Sequence, residues 1–184
     1  MQRSRPGHDR QLKKKIRRLS PEDASLFRAL RLEALLAHPE AYGASHEEEA
    51  AQPDSWFADR LRNGVVLAGW RGEPEDAPKG EPEGIMGLAF PGSVKTRHKG
   101  LLWGVYLRPA ARGTGLARAL LEAVIAEARG RVEEIRLSVV VGNEAARRLY
   151  EQAGFTAWAT EPCALKIGGT CYDETLMRLP LGSG

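Results

Sequence analysis

Histidine and cysteine are scarce in this chain, and what there is of them is badly placed for binding a metal. The four histidines (His8, His38, His46 and His98) show no metal-ligand spacing. No metal centre is expected, and no residue is assigned to one. Two cysteines, Cys163 and Cys171, are too few for a disulfide framework. They fall in a loop-and-strand region, where separate thiols are the default for a cytosolic protein and a disulfide between them stays open. Neither lies in a nucleophile motif, which argues against a covalent enzyme intermediate. Long apolar runs are also missing: none approaches the roughly 20 residues of a membrane span. The N-terminus is charged but has no apolar stretch of the secretory type. The expectation is a cytoplasmic protein with no membrane partner. No internal repeat and no second domain is visible.

Two further absences concern phosphate binding. No lysine follows Gly115, so residues 112–117 are not a P-loop, whose lysine reaches the terminal phosphates. A dinucleotide fingerprint needs a third glycine for close helix–strand packing, and Arg118 stands at that position.

What is present suits one globular domain. The chain has 184 residues, 42% hydrophobic and 28% charged, enough for a sizeable core. Its net charge of +3 is unevenly spread. Residues 1–18 carry eight Lys or Arg and one Asp, so the remainder is acidic on balance. The organisation expected is a basic, flexible leader over 1–13 and a single domain over 14–181. A basic leader can touch nucleic acid or a membrane surface. This one has no interleaved aromatic residues to stack on bases, so nucleic acid is not the favoured partner.

The most informative stretch is VYLRPAARGTGLARALL, residues 105–121. Val105 to Leu107 close an apolar run that begins at Leu101, and Pro109 ends the strand because it cannot donate to a ladder. Arg112, Gly113, Thr114, Gly115, Leu116 and Ala117 then stand where a helix must start. The first N–H groups of a helix have no partner within it, and the helix dipole adds about half a positive charge there. Small residues leave those groups open to an anion, best a phosphate or pyrophosphate.

A second segment, LSVVVGNEAARRLYEQAGF (137–155), supports the same picture. Leu137 to Val141 read as a buried strand. Asn143 is a good N-cap, and Gly154 supplies a stop. Asn143 and Tyr150 are two helical turns apart, hence on one face. The tyrosine can present its hydroxyl to whatever the first loop holds.

These two segments, with the strand LLWGVYL, resemble the GNAT superfamily of N-acetyltransferases over about a third of the chain. Arg112, Gly115 and Ala117 match that family's R/Q-x-x-G-x-G/A loop position by position. The resemblance implies an α/β (α+β) fold: a mixed, mostly antiparallel sheet of six to seven strands, flanked by helices and with a splayed central strand pair. It implies acetyl-CoA as co-substrate and a primary amine, on a small molecule or a peptide N-terminus, as acceptor. Carried onto this sequence, Val105 and Leu107 would meet the pantetheine arm through their main chain, and Arg112 to Ala117 would cradle the pyrophosphate. Asn143 would lie along the arm. The implied chemistry is direct transfer in a ternary complex. The Leu107 N–H is the candidate for stabilising the oxyanion, and Tyr150 is the acid that protonates the departing thiolate, since a phenol is protonated at neutral pH. Some relatives use a glutamate on the strand before the loop, and LLWGVYL has none. Water, main-chain carbonyls or Glu33 are the remaining candidates for the base, Glu33 reading more simply as an exposed helix carboxylate. Dimers are common in such families.

The remaining elements follow from periodicity. Strands are expected at Lys14 to Leu19, Val65 to Trp70, Ile85 to Phe90, Leu101 to Leu107, 134–141, Phe155 to Ala159 and Tyr172 to Leu179. A helix capped by Ser20-Pro21-Glu22-Asp23 runs to Ala37 with Leu26, Leu30, Leu35 and Leu36 inward. One or two helical pieces cover 45–63, and a helix over 114–129 carries Leu116, Leu120, Leu121, Val124, Ile125 and Ala128 inward. The run His46 to Glu49 reads as a solvated face. Trp56, Phe57, Trp103 and Trp158 could serve an acceptor pocket but fit the core as well. Acceptor pockets in this fold come from the first helices and the late loop, here 22–63 and 159–172. Two other functions stay open: a non-catalytic acyl-CoA sensor, against which Tyr150 argues, and a nucleic-acid binder working through the leader.

Overall fold

The computed structural model describes residues 14–72 and 80–182. The leader assigned to 1–13 and half of the loop expected over 71–84 (residues 73–79) lie outside these residues. In chain order the elements are β1 (Lys14–Arg18), α1 (Ala24–Ala37), α2 (His46–Ala50), α3 (Asp54–Asn63), β2 (Val65–Arg71), β3 (Gly84–Ala89), β4 (Lys99–Leu107), α4 (Leu116–Ala128), β5 (Glu134–Val140), α5 (Glu144–Gln152), β6 (Thr156–Ile167) and β7 (Thr170–Pro180). The strands form one sheet in the order β1-β2-β3-β4-β5-β7-β6. Every neighbouring pair is antiparallel except β4 and β5. This is the mixed, mostly antiparallel sheet that the sequence leads one to expect.

The sheet is covered on both faces, and strand alternation decides which side chain goes where. Along β2, Val65 and Leu67 enter a core shared with α4 and α5. Val66, Ala68 and Trp70 enter a second core, shared with α1 and α3. The apolar stripe of α4 is buried as its 3.6-residue period requires: Leu116, Leu120, Leu121, Val124, Ile125 and Ala128 all turn inward. Each large side chain among them contributes about 1.5–3 kcal/mol of burial. On α1 the inward stripe is Phe27, Leu30, Ala34 and Leu35, while Leu36 is 68% exposed. The expectation for Leu36 fails because the rotation of α1 against the sheet puts Leu35 in the core and carries Leu36, about 100° further round, out to solvent.

The end of the chain differs more. The segment expected as a loop over 159–172 is instead a long hairpin, in which β6 continues to Ile167 and β7 starts at Thr170. Most of β6 is exposed, so it shows no apolar alternation by which a strand could be read. An irregularity between Glu161 and Leu165 shifts the β6 register against β7. Cys163 and Cys171 are joined in a disulfide with Cα atoms 4.7 Å apart. The reading of two separate thiols is therefore replaced. The hairpin, which eight-residue spacing alone does not reveal, brings Cys163, in the irregular part of β6, within bonding distance of Cys171 on β7.

One irregularity shapes the centre of the molecule. β4 pairs with β5 only at Lys99, Gly100 and Leu101. Between the pairs Ile85–Tyr106 and Gly87–Trp103, β4 contains one residue more than β3. Gly104, at φ +62°, sits in this bulge. A bulge bends its strand and sharpens the twist, so the last part of β4 turns away from β5. Meanwhile β5 stays paired with β7 from Glu134 to Val140. The result is a V-shaped gap between two strands that begin as neighbours.

A left-handed position costs an L-residue roughly 1–2 kcal/mol. Space is not limiting at Gly104, since an added Cβ would come only within 3.7 Å of the Arg31 guanidinium. Gly104→Ala is therefore expected to lower unfolding stability by about 1–2 kcal/mol in urea titration. Gly92→Ala, where the φ is ordinary and the surroundings are open, is expected to change it by less than about 0.5 kcal/mol.

Candidate functional site

The gap between β4 and β5 opens into a cavity of about 550 Å³. Its walls come from both faces of the sheet. On the side of α4 and α5 lie Val105, Leu137, Val139, Asn143 and Tyr150. On the side of α1 and α3 lie Arg31, Tyr42, Arg60 and Trp103. Glu174 of β7 also lines it. Met177 points into the α4–α5 core, so alternation places Glu174 on the opposite face, with the arginines. The cavity therefore crosses the sheet through the splay.

The first side is set by α5. Asn143 caps that helix, its side-chain oxygen accepting from the Ala146 N–H at 3.2 Å. It also reaches the cavity, so the cap and the cavity wall are the same residue. Tyr150, two turns on, is 5% exposed and packs its ring 5.8 Å from that of Phe155. Burial, with the Tyr42 phenol as a smaller influence, pushes the Tyr150 hydroxyl above the ordinary phenol range. It stays protonated throughout neutral pH.

On the open edge of β4, main-chain groups are turned to the gap. The Arg108 N–H bonds back to Glu83 at 2.8 Å. By alternation the N–H and C=O of Leu107 and Val105 point the other way, where β5 has left. The Val105 carbonyl accepts from the Tyr42 hydroxyl at 2.9 Å, and the Leu107 carbonyl accepts from Arg112 Nε at 3.3 Å. Their N–H groups face the gap without a β5 partner.

Beyond β4 the chain makes a short helical turn at Pro109–Ala111 and then the loop that starts α4. Gly113 and Gly115 have φ values of +74° and +79°, and Gly115 is the N-cap. No side chain caps α4, and its first turn has no acidic residue. Thr114 closes the turn by donating to the Ala111 carbonyl at 2.6 Å. A Cβ on Gly115 would stand 2.6 Å from Lys14 Nζ, so the ammonium of the first β1 residue lies against this loop. Bare amides, the helix dipole and a lysine converge there, a favourable arrangement for a polyanion. Arg112 Nη2 sits 2.9 Å from His38 Nε2.

The second side is built around a buried ion cluster. Glu49 takes a two-pronged bond from Arg31, at 3.0 and 2.9 Å, and a third from Arg60 at 3.2 Å. Arg31 and Glu49 are each 4% exposed. Glu49 thus departs from the solvated face expected for His46 to Glu49, because α2 turns it inward onto two guanidiniums while Glu47 and Glu48 stay outside. Arg60 stacks 4.5 Å from the rings of both Trp56 and Trp103. The Trp103 ring lies flat over Gly87, where any Cβ would come within 2.5 Å of it. Of the other aromatic residues, Phe57 is core and Trp158 is half-exposed beside Arg136.

The sequence model of the Acetyltransferase (GNAT) family matches residues 24–155. This chain belongs to the GNAT acetyltransferase family. A GNAT-family acetyltransferase from Streptococcus pneumoniae superposes with a TM-score of 0.77, at 22% identity, over 92% of this chain and 100% of that one. An acetyltransferase fold from Salmonella typhimurium, solved with acetyl-CoA, gives 0.73 at 24% identity over 94% and 96%. These two likenesses speak to the fold. A mycothiol acetyltransferase of Thermobispora bispora is 29% identical over 154 residues, which is 80% of this chain. The chain spans about half (48%) of that protein's length.

The residues singled out on GNAT grounds fall into distinct places. Val105, Asn143 and Tyr150 meet in the cavity. Arg112, Gly113, Thr114, Gly115, Leu116 and Ala117 form the separate loop at the α4 start, with the Leu116 side chain fully buried and its amide at the helix end. Glu33 is outside the cavity wall. It accepts from Arg108 at 2.6–3.1 Å and from the Tyr106 hydroxyl at 3.0 Å. The Arg108 bonds hold its carboxyl below the usual range, a poor setting for taking a proton. Lys14, Tyr42, Arg31, Arg60 and Glu174 were not foreseen as site residues. The second side was anticipated only in outline, by the acceptor segment 22–63, which contains Arg31, Tyr42 and Arg60, and by Trp103, which lines the cavity.

Glu49 offers a test of the cluster. Removing one member of a buried ion pair costs about 3–5 kcal/mol, because the partner is left uncompensated. Glu49→Gln is expected to lose stability on that order in denaturant titration. The exposed neighbour change Glu48→Gln is expected to stay within about 0.5 kcal/mol.

Proposed function

We propose that this protein transfers an acetyl group from acetyl-CoA to a primary amine, directly and within a ternary complex. The observation that carries this reading is the cavity through the splayed strands, with a buried tyrosine on one side and a separate charged chamber on the other. Acetyl-CoA supplies an activated acyl thioester and a thiol leaving group. The residues of this chain supply the rest.

The loop from Arg112 to Ala117 holds the pyrophosphate. The amides at the start of α4 donate to it, and Lys14 adds charge beside them. The open N–H groups of Val105 and Leu107 and the cap residue Asn143 position the pantetheine arm along the gap. The Leu107 N–H is the donor placed to stabilise negative charge on the acyl oxygen. Tyr150 then gives its proton to the departing sulfur. Burial keeps that hydroxyl protonated at neutral pH, and although a thiol, with a reference pKa near 8.5, is a stronger acid than the phenol, the negative charge that builds on the departing sulfur inside the buried cavity draws the phenol's hydrogen bond and then its proton. Amines enter from the α1–α3 face, and the proton that the attacking nitrogen sheds leaves through water, from which Tyr150 is reprotonated. The Glu33 carboxylate, tied to Arg108, acts in this reading by bracing the end of β4.

Two variants separate binding from chemistry. Tyr150→Phe is expected to bind coenzyme A with unchanged affinity in calorimetry, while thiol release falls by about 10² or more. Turnover equal to that of the unaltered protein across a full pH range would remove the acid role. Ala117→Glu places a carboxylate in the first turn of α4, where it suits the helix dipole and should not harm stability. It is nevertheless expected to weaken coenzyme A binding by about tenfold or more, through repulsion of the pyrophosphate. Undiminished affinity would move the anion site elsewhere.

A further inference from the structure

The charged groups of the cavity are all on one face, and they are unevenly paired: two arginines share Glu49, while Glu174 is in no ion pair among the described residues. Arg31, Arg60 and Glu174 are the charged residues that line it. Glu49, behind the wall, is shared between the two arginines. It satisfies Arg31 with two bonds and offers Arg60 one. A guanidinium has five N–H donors, and among the described residues Arg60 uses one of its nitrogens in a side-chain hydrogen bond. Its side chain is 32% exposed and held over the rings of Trp56 and Trp103. The cluster therefore leaves about one positive charge unmatched at the wall. Burial pulls the Arg60 pKa down, as expected for a cation short of compensation. A fixed planar fork in a half-desolvated cavity suits a planar anion.

We infer that the acceptor amine is a small amino acid, whose free carboxylate is held by Arg60 with Arg31 behind it while its amino group faces Glu174. This deepens the acetyltransferase reading and rests on it. The amine and carboxylate of such a molecule meet charges of opposite sign, and the aromatic walls of Trp103 and Tyr42 leave room for a side chain between. A purely cationic amine or a peptide interior would leave the free donors of Arg60, already partly desolvated between its two indoles, without an anion to accept from them.

The test compares matched acceptors on the unaltered full chain. Thiol release from acetyl-CoA is followed with α- and ω-amino acids, each set against its carboxamide and its decarboxylated amine, and with a short peptide amide. For the amino acids that react, kcat/KM is expected to exceed that of the carboxamide by about tenfold or more, the usual worth of a charged hydrogen bond. In Arg60→Gln that preference is expected to collapse, chiefly through KM, with coenzyme A affinity unchanged in calorimetry. A carboxamide or decarboxylated amine used as well as its parent acid overturns the inference. So does a preference that survives Arg60→Gln, or failure of every amino acid by a chain that binds coenzyme A. In those cases, turnover of neutral amines or of the peptide amide leaves the acetyltransferase reading standing. Absence of any heat with coenzyme A overturns both.

Discussion

A single extra residue in β4 governs the architecture of this molecule. Parallel strands that start in register normally stay together, because each added pair satisfies two more main-chain groups. Here the bulge at Gly104 ends that pairing after three residues and leaves the amides of Val105 and Leu107 facing a gap. A buried edge of this kind is costly unless something answers its polar groups. Tyr42 and Arg112 answer the carbonyls. The N–H groups are left to a ligand, and an extended amide-bearing arm is the natural complement. The same residue that weakens the sheet locally thus creates the surface on which the proposed co-substrate lies.

The gap also explains how two unlike environments can share one cavity. A sheet keeps its faces apart by alternation, and a side chain on one face cannot reach across. Where the strands part, the barrier is gone. Apolar walls and a buried phenol from the α4–α5 side then adjoin arginines and a glutamate from the α1–α3 side. An acyl donor and an amine acceptor have opposite needs: one wants a proton for its leaving group, the other must be free of one. In the proposed reading the tyrosine meets the first demand from the α4–α5 face, while the amine is held on the arginine-lined face and sheds its proton to water.

What the sequence revealed follows the strength of the underlying physics. The α4 stripe was legible because six apolar residues at helical spacing allow few other packings. The loop at 112–117 was legible because glycine next to a helix start has a specific consequence for amides. Asn143 and Tyr150 could be placed on one face from spacing alone. Less was visible wherever long-range partners decide the outcome. Leu36 looks as apolar as Leu35, and only the rotation of α1 against the sheet separates them. Glu49 looks like Glu47 and Glu48, and only Arg31 and Arg60, at a distance along the chain, draw it inside. Lys14 reaches Gly115 across a hundred residues. The hairpin of β6 and β7 is exposed on most positions and so lacks an apolar period, which also hid the cysteine pairing.

The buried cluster is instructive about why such groups persist. Taking two guanidiniums and a carboxylate out of water carries a penalty of several kcal/mol per ion, and their attraction repays it only with good geometry. Well-packed apolar residues in the same volume would serve stability as well or better. The helices α1 and α3 already share a core of Phe27, Leu30, Phe57 and Leu61, so their packing does not depend on ions for cohesion. Stability alone therefore gives little reason for Arg60 to be clamped between two indoles at the cavity wall. Clamping does something else: it removes the rotamer freedom of a long side chain before any ligand arrives. A guanidinium held in advance in one plane, with its charge incompletely matched, can bind an anion at small entropic cost. That is the property required of a residue which selects among amines that differ only in what they carry beside the nitrogen.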